Sequence, residues 1–163
     1  MTDARFTKLS IAGGGLGGLA IYACGYLAWP AVTTDPVRLA LWLAAGPGLV
    51  IYAMFLSCLR MRDSADAIDP FRGAESPRWK VNQRALTNTV EQAAIFVPVL
   101  LALSTRVDLA HARVLPLGVA CWVVARLAFW IGYRFDQKWR APGMAWTHVT
   151  TLVTIGWLVR CSL

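Results

Sequence analysis

The chain has 163 residues, 57% of them hydrophobic and 15% charged, where an ordinary soluble domain carries about 25% charged residues. A mean hydropathy of +0.51 and eight tryptophans present more apolar surface than so short a chain can hide from water, which excludes a soluble globule and disorder alike. A formal charge of +7 would point to nucleic acid in a soluble protein, so the distribution of that charge along the chain decides its meaning.

In chain order, uninterrupted apolar stretches run over 9–29, 39–59, 85–104, 114–133 and 141–159. Each is about long enough to cross a bilayer as a helix, and a backbone in lipid must satisfy its own hydrogen bonds, so helices are expected throughout. Arg5 and Lys8 ahead of the first stretch also fit a signal peptide; a retained first helix is expected. Gly13, Gly15 and Gly18 spell G-x-G-x-x-G, but inside an apolar run rather than at a strand-to-helix turn, so no dinucleotide site is expected. Instead, Gly13 with Gly17 and Gly14 with Gly18 have the spacing that lets membrane helices approach closely. The second stretch ends in a polar segment, 60–80, with Asp63, Asp66, Asp69 and Glu75 among basic residues, expected to be a solvated connection or a lid over a site. Pro47 in the second stretch and Pro98 in the third are expected as kinks, and Pro116 in the fourth as a kink or a first-turn residue. Trp29, Trp79 and Trp139 fall at segment ends, where indoles anchor in headgroups.

Lysine and arginine favour cytoplasmic loops. With the N-terminus inside, one membrane face carries Arg5, Lys8, Arg60, Arg62, Arg72, Arg78, Lys80, Arg84, Arg134, Lys138 and Arg140. The other carries Arg38, Arg106, Arg113 and Arg160. The expected topology is therefore N-terminus cytoplasmic and C-terminus opposite. The net charge is a topology signal and no nucleic-acid partner is expected. Cys24, Cys58, Cys121 and Cys161 have no paired spacing, which indicates neither a disulfide framework nor zinc. His111 and His148 fall toward opposite membrane faces, so no metal site is expected.

Charged groups within membrane helices are costly and mark candidate sites. Arg84, Asn88 and Glu91 stand at i, i+4 and i+7, on one face of the third segment. Arg126, Phe129 and Tyr133 share a face of the fourth. Arg126 and Glu91 lie about 10 Å below the cytoplasmic ends of two antiparallel helices, which predicts a buried Glu91–Arg126 ion pair. Arg84, Asn88 and Tyr133, with Arg134, Lys138 and Arg140, would form a cationic, donor-rich cluster suited to a small anion with several carboxylates.

The run R-A-L-T-N-T-V-E-Q-A-A-I-F from Arg84 to Phe96, followed by A-R-L-A-F-W-I-G-Y-R-F-D-Q-K-W-R-A-P-G from Ala125 to Gly143, resembles the MAPEG family, membrane-associated proteins in eicosanoid and glutathione metabolism. The resemblance implies an all-α integral membrane protein, a four-helix bundle over residues 39–163, with one further transmembrane helix in residues 1–38 and five in total. It implies homotrimers with glutathione bound between subunits near the cytoplasmic side. Arg84, Asn88, Glu91 and Tyr133 would bind glutathione, and Arg140 would stabilise its thiolate as the catalytic residue. Three departures stand out: Phe129 where a Tyr or His is common, Thr87 where some members carry a second Arg, and Gln92 in place of an aromatic residue.

The leading expectation is a glutathione transferase or peroxidase acting on lipophilic electrophiles that enter from membrane lipids. The rival is a non-catalytic scaffold of the same fold, with the first helix docking a protein partner. Thirteen of the basic residues are Arg and three are Lys, a balance that fits a bacterial inner-membrane protein.

Overall fold

A computed structural model describes residues 3–61 and 76–163. The acidic and basic residues of 62–75, read above as a connection or lid, lie outside the described residues. The described chain is all helical: α1 Asp3–Ala28, α2 Pro36–Leu43, α3 Ala45–Arg60, α4 Pro77–Ser104, α5 Val114–Phe135 and α6 Arg140–Ser162. Four helical spans, 5–28, 36–60, 77–104 and 114–135, are long and apolar enough to cross a membrane. The protein is thus an integral membrane protein.

Local sequence explains the boundaries. Asp35 and Ser76 accept backbone N–H groups of Arg38 at 2.8 Å and Trp79 at 3.2 Å, each followed by a proline in the first turn, the preferred helix start. The expected second span is broken into α2 and α3 at Ala44. Pro47 has no N–H to return to the Leu43 carbonyl, so the hydrogen-bond ladder lapses there. Pro98 is accommodated inside α4 and Pro116 sits in the first turn of α5.

The fifth expected span, α6, is not among those four; it carries Thr147, Thr150, Thr151 and Thr154, all buried. Three of the hydroxyls fold back on the carbonyl four residues earlier, Thr147 to Gly143, Thr151 to Thr147 and Thr154 to Thr150. The polarity of these three is therefore spent within the helix, which lets that face pack against its neighbours while Leu152 and Val159 stay exposed on the other.

Side-chain pairs fix the arrangement. Asn82 faces Trp130 and Asn88 faces Arg126, so α4 and α5 run antiparallel. Helix α1 lies along α6 in the same direction, with Gly14 against Pro142, Gly18 against Trp146, and Tyr26 against Trp157, whose rings are 5.5 Å apart. A Cβ at Gly14 would overlap the Pro142 backbone and one at Gly18 the Trp146 ring, whereas Gly13 and Gly17 have nothing within 4 Å. Of the two glycine pairs, then, only Gly14 with Gly18 serves close approach within the chain. At its far end α1 is tied to α5: Tyr22 donates to the Val114 carbonyl at 3.4 Å, and Arg113 donates to the Tyr26 and Trp29 carbonyls at 3.4 Å. The core is centred on Phe96 and Trp122, stacked at 5.5 Å, with Leu100, Leu103, Val114 and Leu115.

Candidate functional site

Two glycines let α6 enter beside α5. The connection is a short 3₁₀ turn, Gln137–Trp139, whose first N–H groups are capped by Asp136, with Lys138 N at 2.9 Å from its carboxylate. A Cβ at Gly132 would collide with the Trp139 carbonyl, and one at Gly143 with the backbone of Phe129 and the Ala125 carbonyl. The close approach these glycines permit brings Arg140, the first residue of α6, over the Tyr133 ring, 4.8 Å from guanidinium carbon to ring centre. Tyr133 in turn packs against Phe129 at 5.7 Å.

The result is a cavity of about 210 Å³ lined by Arg84, Asn88, Phe129, Tyr133, Arg140 and Met144. It lies at the end of the bundle where α4 begins and α5 finishes. Residues from three helices converge here: two guanidinium groups, a carboxamide and a phenol. A guanidinium has only donors, and a phenol or amide N–H adds more, so the wall is built for an anionic, acceptor-rich ligand. None of the four cysteines lines the cavity.

The predicted Glu91–Arg126 ion pair does not form in the chain. Arg126 is fully buried, 0% exposed, and its Nη2 donates to Asn88 Oδ1 at 3.0 Å and to Thr89 Oγ1 at 2.8 Å. Its guanidinium carbon lies over the Phe129 ring, 4.0 Å from the centre, a cation–π contact that a desolvated setting strengthens. Glu91 is exposed on the outer face of α4 and does not line the cavity. Three residues turn a helix by about 300°, so Glu91 and Asn88 differ by about a sixth of a turn; the depth expected for the partner is right and the azimuth is not. Phe129, read in the sequence as a lost hydroxyl, is thus the platform for Arg126.

Asn82 escaped the sequence reading altogether. It is 1% exposed, accepts from Trp130 Nε1 at 2.7 Å, and donates to Met61 Sδ at 2.9 Å and the Arg78 carbonyl at 3.3 Å. Asn82 lies one helical turn or more before Asn88, and the approximate recurrence of asparagine along α4 was the only signal that could have found it. His148 is exposed and bonded through Nδ1 to the Met144 carbonyl at 2.8 Å, outside the cavity. No cluster of metal-ligating side chains occurs among the described residues. A larger cavity of about 530 Å³ opens nearby between Met61, Arg78, Val81, Asn82, Ile131, Arg134 and Phe135. Arg78, Asn82 and Arg134 reach it, but Arg84, Asn88, Tyr133 and Arg140 converge only on the smaller one.

Fold and site together define a helical membrane protein with a donor-lined cleft at one membrane face. The sequence model of the MAPEG family matches residues 39–160, and the chain belongs to that family. The match begins after α1, which lies outside it. Membership places the protein among membrane proteins of glutathione and eicosanoid metabolism. No curated protein matches the chain.

Proposed function

We propose that the protein is a glutathione-dependent transferase or peroxidase acting on lipophilic electrophiles drawn from the bilayer. The observation that carries this reading is the convergence of Arg84, Asn88, Tyr133 and Arg140 on one cavity. Arg84 and Asn88 would hold glutathione carboxylates, and Tyr133 would donate a hydrogen bond. Arg140 would sit beside the thiol. A free thiol has a pKa of about 8.5, and an adjacent guanidinium lowers it, so more thiolate is present at neutral pH. The thiolate would attack an electrophilic centre presented from the lipid side.

The cavity in one chain is small beside the roughly 300–1,000 Å³ of a small-molecule site, and Glu91 stands exposed within a span long and apolar enough to cross a membrane. Both features support a homotrimer in which a neighbouring copy closes the cleft and covers Glu91, where it would meet the ligand's ammonium. The N-terminus, the starts of α4 and α6, and the cavity share one end of the bundle. The excess of Lys and Arg at that end supports a cytoplasmic orientation, the compartment in which glutathione is kept reduced. A bacterial inner membrane fits the same arrangement.

Isothermal titration of glutathione into detergent-purified protein, with the ultraviolet absorbance of the thiolate, tests the reading. Binding with a thiolate signal is expected, and Arg84→Ala or Arg140→Ala is expected to abolish one or both. Unchanged binding and turnover in both variants would sink the assignment. A non-catalytic scaffold is the second reading, motivated by Phe129, which puts a hydrocarbon ring in the cavity. It is favoured if wild-type protein shows no affinity for glutathione and copurifies with a stoichiometric partner.

A further inference from the structure

Arg126 is buried behind the cavity wall rather than in it, and its chemistry dictates the state of a residue that does line it. The guanidinium can only donate, so the carboxamide facing it must present oxygen. Asn88 Oδ1 therefore points inward to Arg126 Nη2 at 3.0 Å. Both protons of Nη2 are committed, the second to Thr89 Oγ1 at 2.8 Å, and Thr89 is itself fixed by donating to the Ala85 carbonyl at 2.7 Å. The Phe129 ring also packs on the guanidinium, 4.0 Å from its carbon to the ring centre. The Asn88 amide is left with its Nδ2 end, which has no partner within the chain and is not among the enclosed unpaired atoms, in a residue that lines the cavity.

We propose that Arg126 is a positioning residue: it fixes the rotamer and flip of Asn88 so that the cavity receives two N–H donors and no carbonyl. This rests on the reading of the cavity as a glutathione site and deepens it, because the orientation selects a carboxylate at Asn88. A free carboxamide would offer either end to a ligand at equal cost; held by Arg126 it offers only donors. The reversed amide would set its NH₂ against a buried cation and leave its oxygen facing an anion. In the alternative, purely structural role, Asn88 exists to solvate Arg126 and its outer end has no task.

The experiment compares Asn88→Asp, Asn88→Ala, Arg126→Lys and the Asn88→Ala/Arg126→Lys double variant by glutathione titration, thermal unfolding in detergent, and the pH midpoint of the bound thiolate. Asn88→Asp gives Arg126 a carboxylate and is expected to keep or raise the unfolding temperature, yet to weaken glutathione binding about tenfold or more, since the cavity loses its donors. Arg126→Lys is expected to weaken binding several-fold with the thiolate midpoint unchanged, and to have no further effect once Asn88 is alanine, the signature of one residue acting through another. Wild-type affinity in Asn88→Asp, or an equal loss from Arg126→Lys in both backgrounds, would overturn the proposal while leaving the glutathione site standing. Absence of binding in the wild type would overturn both.

Discussion

Arg126 shows how much and how little a single residue discloses. Its burial depth follows from its place in an apolar run, and the need for a polar partner follows from the cost of a lone charge in lipid. Which of Asn88, Thr89 or Glu91 meets it depends on the rotation of α4, and packing sets that. Asn82 belongs to the same class: in the sequence it is one polar residue ahead of an apolar stretch, and in the structure it joins α3, α4 and α5. Replacing it with alanine strands the Trp130 N–H and is expected to cost about 1–3 kcal/mol, read as a lowered unfolding temperature in detergent; an unchanged transition would show that water replaces the amide. At the opposite end, Asp108 Oδ1 accepts from the His111 backbone N–H at 2.9 Å and from its ring Nδ1 at 2.7 Å. These bonds hold the Asp108 carboxyl below the usual carboxylate range. A depressed pKa means that the associated stability is present above the unfolded value, about 3.9, and is lost as pH falls through the folded one. Carbon-detected titration of Asp108 should therefore give a midpoint below that of a free aspartate, and His111→Ala should raise it only part of the way, since the backbone N–H of residue 111 still donates.

Among the elements, α1 and α6 carry the clearest sequence signal and its clearest limit. Four-residue glycine spacing predicts close approach, but two such pairs overlap in α1 and only one faces α6. Leucine at Gly14 or Gly18 would drive side-chain atoms into Pro142 or Trp146, an overpacking that costs about 1–3 kcal/mol per site. Leucine at Gly13 or Gly17 meets open space. Limited proteolysis of α1 in detergent is expected to accelerate for the first pair and stay at wild-type rates for the second. Equal behaviour of all four would mean that α1 does not lie on α6 as described. The break between α2 and α3 was half visible: Pro47 predicts a weak point, while its location at Ala44 follows from the missing hydrogen bond to Leu43. The start of α4 was not visible, since residues 77–84 are too polar for an apolar window; Ser76 and Pro77 begin the helix well before the apolar stretch does.

Taken as a whole molecule, the chain leaves one polar stripe unexplained by its own packing: Arg84, Thr87 and Glu91 are exposed along α4. A charged stripe facing acyl chains is unfavourable by several kcal/mol, and a second copy that covers it removes the cost. The expected detergent-corrected mass is three copies of a 17.9 kDa chain, and cysteine substitutions at Thr87 should crosslink between subunits. A monodisperse monomer with full glutathione affinity would rule out the shared site. In the same experiment, Glu91→Gln is expected to weaken ligand binding without loosening Arg126, because the two are not partners within the chain.

The sequence by itself determined the membrane setting, the helices and most of the cavity wall. The bilayer leaves a backbone few choices, and the pattern in Arg84, Asn88, Tyr133 and Arg140 fixes helical phase within each segment. Only the tertiary structure decided which faces meet: that Glu91 turns outward, that Arg126 rests on Phe129 and grips Asn88, and that Gly132 and Gly143 bring α6 close enough to place Arg140 over Tyr133. Those facts depend on the relative rotation and separation of helices, which are set by side-chain volumes summed over whole interfaces and leave no local mark in the chain.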